Sequence, residues 1–349
     1  MRKLVFTLLP ILLVGFISID SMAQLNRKSI KKNNKRLSHF KGKKQGFSKE
    51  KKYNALGVSV SALNYYGDIA PRPQRISTDI SLTRPAIGVN FIHRFGPRYS
   101  LQGQLMYGVL KGSDSESADP SGENSQYRYK RNMSFRNQMK ELSVVAVFDL
   151  FENQATYISR VKWTPYVYLG LAGFTNNPKA QAPATDLTGA PLAEAGNWVK
   201  LRPLGTEGQH STLDPTDVNF GIKPYKGIQI AIPIGAGARF RINEVMDLWA
   251  DIGFRYTFTD YIDDISQNYV GLEKLNSPLA QAMSYRTNEV PGQPLNPVIT
   301  PSGIAVEAGY GSEYPDNVRG SKSDKDIYMV TSIRLTYIIG ATLHKAKFR

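Results

Sequence analysis

The stretch LGVSVSA at residues 56–62 decides the fold of this chain. Apolar residues stand at 56, 58, 60 and 62, and small or polar residues stand between them. Because successive side chains of a strand point to opposite faces, this segment has one apolar face and one small, polar face. The same alternation predicts eight strands, at about 53–64, 86–95, 101–110, 135–150, 166–171, 228–240, 248–257 and 327–339.

The connections between these strands alternate in length. Long polar insertions follow the first, third, fifth and seventh strands, and shorter turns follow the second, fourth and sixth. Outer-membrane barrels sort their connections in this way, with short turns in the periplasm and long loops outside. A soluble eight-stranded sandwich has no reason to do so. The sequence therefore predicts an all-β fold, an eight-stranded antiparallel transmembrane up-and-down β-barrel over residues 53–343, with long extracellular loops and periplasmic N- and C-termini.

The N-terminus indicates export. Arg2 and Lys3 precede an apolar run at residues 4–19, and small residues end at Ala23, which predicts a signal peptide at 1–23. Beyond it there is no run of about 18 apolar residues such as a membrane-spanning helix needs, so a closed barrel is the remaining way to cross a bilayer. The chain has no cysteine, which excludes disulfides and thiolate metal sites.

Most of the formal charge of +15 belongs to one segment. Residues 24–52 hold twelve Lys or Arg and one acid, Glu50, and predict a disordered periplasmic tail. Such a tail suits an acidic protein, anionic lipid headgroups or solubility alone, and the export signal argues against a nucleic-acid partner. Its predicted docking residues for a partner or lipid are Lys31, Lys32, Lys35, Arg36, Lys43 and Lys44.

Charged residues also fall on the polar faces of the strands. They are Glu141, Arg239, Asp251, Arg255 and Arg334. The interior of an eight-stranded barrel is just wide enough for side chains to fill, and charges buried there must pair. We therefore expect a network of ion pairs inside the barrel and no open pore.

No residue pattern predicts catalytic, cofactor-binding or metal-binding residues. Asp260, Asp263 and Asp264 form an acidic cluster that could bind Ca²⁺ or lie solvated. His93 is the candidate base for a lipid-modifying enzyme, and an interfacial role is the simpler interpretation. Aromatic residues near the strand ends favour a membrane-interface girdle: Tyr53, Tyr65, Tyr66, Tyr107, Trp163, Tyr166, Tyr256 and Tyr337.

Several strings of residues together resemble the PorG-like family of Bacteroidetes outer-membrane proteins, over about residues 53–343. They are NYYGDI at 64–69, RNMSFR at 131–136, TPYVYLG at 164–170 with NPKA at 177–180, VKLRPLGTEGQ at 199–209, and YIDDIS at 261–266. The basic tail has no counterpart in the resemblance.

The resemblance implies a non-enzymatic component of the type IX protein secretion apparatus. The implied partners are outer-membrane lipid, the periplasmic ring lipoprotein and associated proteins of the apparatus. No cofactor and no catalytic residue comes with the family. The alternative is a small general outer-membrane barrel, porin- or adhesin-like, whose extracellular loops bind a ligand.

Overall fold

The structure is a computed structural model that describes residues 47, 51–69, 81–122, 125–314 and 316–339. The chain divides into two units, Met1–Ser48 and Lys49–Arg349, and the elements below belong to the second. Eight long strands make up its wall. They are β1 (Tyr53–Tyr66), β2 (Arg84–Arg94), β3 (Tyr99–Ser113), β4 (Ser134–Asp149), β5 (Trp163–Thr175), β8 (Ile228–Arg241), β9 (Met246–Thr257) and β12 (Ile327–Ile339). The signal peptide and most of the basic tail lie outside the described residues.

The eight strands close on themselves. Each pairs antiparallel with its neighbours along the chain, and β1 pairs with β12 to complete the circle. A closed barrel leaves no long unpaired edge in its wall. The predicted fold class, an eight-stranded antiparallel barrel, is confirmed.

The wall is apolar outside and polar inside. On β1 the outward Val60 is 65% exposed while the inward Ser59 is 4% exposed, as the period of two predicts. Large apolar side chains stay exposed on the outer face of all eight strands, with Leu105 on β3, Leu142 on β4 and Ile228 on β8 as examples. This is the reverse of a water-soluble barrel.

The connections separate by length between the two ends of the barrel. At one end lie the short joins 95–98, 150–162 and 242–245. The strand ends joined by the long connections 67–83, 114–133, 176–227 and 258–326 lie at the other. The start of β1 and the end of β12 meet at the short-join end, where Asn54 lies opposite Ile339.

Three long connections contain regular structure where the sequence indicated loops. The segment 114–133 forms two short helices, α1 (Asp114–Ser117) and α2 (Gln126–Arg131). The segment 176–227 adds β6 (Pro178–Gln181) and β7 (Trp198–Lys200), and 258–326 adds α3 (Pro278–Ser284) and the hairpin β10 (Pro297–Ile299) and β11 (Ala305–Glu307). Among the described residues no helix is long and apolar enough to span a membrane.

Strand β6 continues the wall beyond the end of β5, at the end of the barrel with the long connections, which we call the upper end. It pairs with the upper part of β4, where Asn137 lies opposite Pro178 and Arg136 lies opposite Lys179. Strand β7 pairs with β6 in turn. Strands β3 and β4 are the longest of the barrel, so the wall rises highest at this side.

Two details of the predicted strands are wrong. Pro85, expected in a loop, lies inside β2 opposite Ala62. Tyr65 and Tyr166, expected in an aromatic girdle, point inward and are buried, because their positions along β1 and β5 have the inward phase.

Candidate functional site: the barrel interior and its cap

All five charged residues of the predicted interior network lie inside the barrel and are buried. Arg255 Nε lies 3.4 Å from Glu141 Oε1, and the Tyr328 hydroxyl donates to Glu141 Oε2 at 2.6 Å. Arg334 lies 3.0 Å from Asp251 Oδ2, which also accepts a hydrogen bond from the Tyr166 hydroxyl. The charges therefore occur in opposite-sign pairs with further hydrogen bonds, as burial requires.

The fifth residue, Arg239, pairs with a carboxylate that was not in the predicted set. Arg239 lies 2.6 Å and Arg94 3.1 Å from the same oxygen, Asp149 Oδ2. Trp249 lies between this group and the next: the Arg239 guanidinium is 4.9 Å and that of Arg334 5.6 Å from its ring centroid. Cation–π contacts of this kind strengthen when water is excluded.

The long connections fold together over one mouth of the barrel. We call the segments 114–133, 176–227 and 258–326 the cap. Its apolar side chains, among them Ile262, Tyr269, Leu272 and Tyr285, form one buried cluster with inward residues from the upper ends of the strands, such as Phe174. The cap and the upper barrel therefore share a hydrophobic core, which holds the cap in place.

A buried polar network lies in the same region. Arg131 binds both carboxylate oxygens of Asp114, at 2.8 and 2.9 Å, and donates to the backbone carbonyls of Arg319 and Asp68. Arg319 in turn lies 2.9 Å from Glu207 Oε1, which also accepts hydrogen bonds from two backbone amides. These contacts join all three cap segments to one another.

Carboxyl groups collect beneath the cap, where β1 ends and β12 begins. The Tyr65 hydroxyl lies 2.8 Å from Asp263 Oδ2 and 2.6 Å from Asp326 Oδ1. Burial, reinforced by the charges of Asp326 and Asp68, raises the pKa of Asp263 well above its usual range. Burial also raises the pKa of Asp260 to about 7.

The acidic cluster is not arranged to bind Ca²⁺. The carboxylate of Asp263 faces Tyr65, whereas that of Asp264 accepts hydrogen bonds from Thr206 and Tyr225. No set of three His, Cys, Asp or Glu side chains in the described part of the chain could hold a metal ion. Burial raises the pKa of Asp264 to about 6, although the nearby Arg319 lowers it.

The remaining candidates lie elsewhere or outside the described residues. His93 is on β2 at the short-join end, where its Nδ1 is 2.7 Å from Asn54 Oδ1. The six docking residues of the tail, Lys31, Lys32, Lys35, Arg36, Lys43 and Lys44, lie outside the described residues.

Four of the sequence strings that carry the resemblance supply residues to the buried polar groups beneath and within the cap. NYYGDI supplies Tyr65, RNMSFR supplies Arg131, VKLRPLGTEGQ supplies Glu207 and YIDDIS supplies Asp263. The strings were therefore the available signal for this site. Asp114, Arg319 and Asp326 had no such signal, since each is an ordinary charged residue in a polar segment.

Two clefts open on the cap. A cleft of about 410 Å³ is lined by Asp217, Lys274, Ile299, Glu313 and Tyr314, among others, and Lys274 pairs with both acids. A second, of about 330 Å³, is lined by Phe220, Lys223, Tyr261 and Lys322, among others.

Comparison with solved structures returns small outer-membrane barrels. A major outer membrane protein of Thermus thermophilus aligns at 10% identity, covering 82% of this chain and 99% of that one, with a TM-score of 0.35. Neisserial surface protein A aligns at 9% identity, covering 81% and 96%, with a TM-score of 0.33. OprG of Pseudomonas aeruginosa aligns at 8% identity, covering 82% and 95%, with a TM-score of 0.31.

Comparison with sequences gives one family. No curated protein matches the chain significantly. A family model described as a domain of unknown function, DUF6089, matches residues 44–185, and this region extends from before β1 to just beyond β6.

Proposed function

We propose that this protein is an outer-membrane barrel that serves as an anchor and not as a pore. The observation that carries the proposal is the reversed polarity of the wall. Apolar side chains such as Val58, Leu171 and Ile333, each more than 60% exposed, form the outer face, and ion pairs fill the inside. An apolar surface of this extent is stable against hydrocarbon and prone to aggregation in water.

The proposed orientation follows from the connections. Short joins are typical of the periplasmic end of a bacterial barrel and long loops of the outside. The cap then faces the exterior, and the start of β1 and the end of β12 face the periplasm. The basic tail at 24–52 precedes β1, so we place it in the periplasm as well.

The barrel interior favours a role as an anchor, because the described side chains leave no continuous channel evident through it. Paired charges and the Trp249 ring occupy the lower barrel, and the shared apolar core of the cap covers the upper mouth. Reconstituted in planar bilayers, the purified protein is expected to give no large stable conductance. Long-lived open channels in most insertions would contradict the proposal.

Within this class we propose a role in the type IX secretion apparatus, as a component that docks the periplasmic ring lipoprotein and its associated proteins at the outer membrane. The resemblance supports this role, and the meeting of four of its strings at one buried network is consistent with it. Because no catalytic residue comes with the resemblance, the proposed role is non-enzymatic. It requires no cofactor and no nucleic acid.

Deletion of the gene tests the role directly. Cargo of the apparatus should remain in the periplasm and return to the medium when the full-length gene is restored. A strain that retains normal cargo secretion would contradict the proposed role but not the membrane anchor.

A second experiment tests the tail as a docking segment. Removing residues 24–52 while keeping the signal peptide should weaken co-purification of ring proteins at low salt, because electrostatic attraction is strongest there. A second test variant replaces the six named cations with Gln, which removes their charge and keeps the length of the tail, and it should weaken co-purification in the same way. Unchanged co-purification for both variants at low salt would contradict docking through the tail.

The two clefts of the cap favour one second candidate, an adhesin-like barrel whose loops bind an external ligand. Ile299 and Tyr314 are largely exposed beside the larger cleft. Co-purification with periplasmic proteins favours the docking role, whereas binding of an external ligand that substitutions at Ile299 and Tyr314 abolish favours the adhesin. An enzymatic role is disfavoured if His93→Ala leaves membrane lipids unchanged.

A further inference from the structure

The outer face of the barrel carries a row of cations at its highest side. Lys111 on β3 lies directly opposite Arg136 on β4, Arg136 lies opposite Lys179 on β6, and Lys179 lies opposite Lys200 on β7. We call these four residues the cation row. Neighbouring strands are about 4.8 Å apart, so four positive side chains follow one another across the wall at that spacing.

The four side chains share the outer face. The outward phase of β4 includes Arg136, Lys140 and Leu142, and that of β3 includes Lys111. On β7, Trp198 and Lys200 are on the same face, and the Arg136 guanidinium lies 5.6 Å from the Trp198 ring centroid. The row therefore presents both charge and an aromatic ring to the surroundings.

The positive charges of the cation row are only partly balanced by carboxylates of the protein. Lys111 pairs with Glu116 at 2.6 Å. Within the described residues no carboxylate forms an ion pair with Arg136, Lys179 or Lys200. Like charges directly opposite each other on neighbouring strands are destabilising, so an anion bound across the row would stabilise it.

The position of the cation row along the strands indicates which kind of anion it would bind. Below it on β4 the outward residues change from Lys140 to Leu142 and Val144, where the exposed apolar surface begins. Lys140 lies opposite Tyr107, a pair typical of a membrane interface. Arg136 lies two outward positions beyond Lys140, on the side away from this apolar surface. Elsewhere on this rim, outward residues such as Ile228 and Ile230 on β8 are apolar.

We propose that the cation row binds the phosphate groups of a phosphorylated lipid headgroup in the outer leaflet. Arg and Lys are the side chains that bind phosphate, Arg by two parallel hydrogen bonds and Lys as a point charge. The lipid's acyl chains would lie along the apolar wall of β3, β4 and β5 below the row. This inference rests on the proposed function, since it requires the cap to face the outer leaflet.

The test uses the full-length mature protein in lipid nanodiscs with lipid A carrying both phosphates as the probe. The test variant is Arg136→Gln, Lys179→Gln, Lys200→Gln. The matched control, Lys162→Gln, Arg202→Gln, Lys325→Gln, makes the same change of charge on exposed residues that belong neither to the row nor to the two clefts. Lipid A retained per barrel is measured by native mass spectrometry after exchange against uncharged lipid, and heat-modifiable gel mobility verifies that each variant is folded.

The wild type and the control should retain lipid A equally, and the test variant should bind it at least about tenfold more weakly, the loss expected for one or more charge-assisted hydrogen bonds. Dephosphorylated lipid A should bind the wild type as weakly. Millimolar inorganic phosphate should not displace lipid A, because it lacks the acyl chains that contact the wall.

Equal retention by the test variant and the wild type would overturn the cation row as a binding site, and so would displacement by inorganic phosphate alone. A wild-type protein that does not insert into the nanodisc bilayer would instead contradict the proposed function, which separates the two failures.

Discussion

The carboxylate of Asp149 is held between two arginines, and this arrangement predicts an asymmetric response to mutation. Its Oδ2 atom lies 2.6 Å from Arg239 and 3.1 Å from Arg94, and all three side chains are almost completely buried. Asp149→Ala would leave the Arg239 charge without a counter-ion. Removing one partner of a buried ion pair costs about 3–5 kcal/mol, so we expect a loss of about 4 kcal/mol in the free energy of unfolding.

Arg239→Ala should cost much less. Asp149 keeps the Arg94 partner in this variant, so the expected loss is about 1–2 kcal/mol, that of a hydrogen bond to a charged group together with the contact to Trp249. In the double variant no unpaired Arg239 charge remains. Its stability should therefore be no lower than that of Asp149→Ala alone, a clear departure from additivity.

Equilibrium urea unfolding in lipid vesicles measures these differences. The folded fraction should be followed by heat-modifiable gel mobility, because Arg239 is close enough to Trp249 to change its fluorescence directly. Equal losses for the two single variants, or additive losses in the double variant, would refute the counter-ion argument.

Three further predictions concern the cap. Asp260 has a pKa of about 7 in the folded protein and about 3.9 in the unfolded chain, so its contribution should make the cap less stable as the pH rises from 4 to 7. Asp260→Asn should remove this part of the dependence of cap stability on pH, measured by hydrogen exchange in a pH series. An unchanged pH dependence would contradict the prediction. Arg131→Gln should loosen the cap by about 3 kcal/mol, because Asp114 loses a bidentate partner, and it should expose residues 258–326 to protease while the barrel stays folded. Arg202→Gln, at an exposed position of the cap, is the control. Gly311→Ala should destabilise the cap by at least about 1 kcal/mol, because Gly311 has a φ of +64° and a Cβ there would lie 2.4 Å from the Tyr285 ring. The same protease assay measures the effect, and protease resistance equal to that of the wild type would contradict the prediction.

The barrel could be predicted from the sequence because its signal is local. On β1, β8 and β12 the alternation of apolar and polar residues shows which face each side chain occupies. Predicting the strands of the wall therefore requires no knowledge of contacts between distant residues. The inward phase also identified Glu141, Asp251 and Arg334. The partner of Arg239 was not identified, although Asp149 has the same phase, because alternation does not say which strands face each other across the barrel.

The cap could not be predicted in the same way, because its stability depends on contacts between segments far apart in the chain. Asp263 follows a strand in a polar stretch, where a solvated side chain is the natural expectation. Its partner Tyr65 is at the end of β1. A local signal that was missed is at α3, where Ser277 accepts a hydrogen bond from Ala280 and Pro278 occupies the first turn, a common beginning for a helix.

The central claim is that lipid covers the apolar outer face of the barrel. The chain has no cysteine, so single cysteines placed along β1 give clean spin-label sites. In lipid vesicles, labels at residues 56, 58 and 60 should be accessible to oxygen dissolved in the bilayer and inaccessible to a water-soluble relaxation agent, whereas labels at 59 and 61 should be accessible to neither. Equal exposure of both sets to the water-soluble agent would contradict the account.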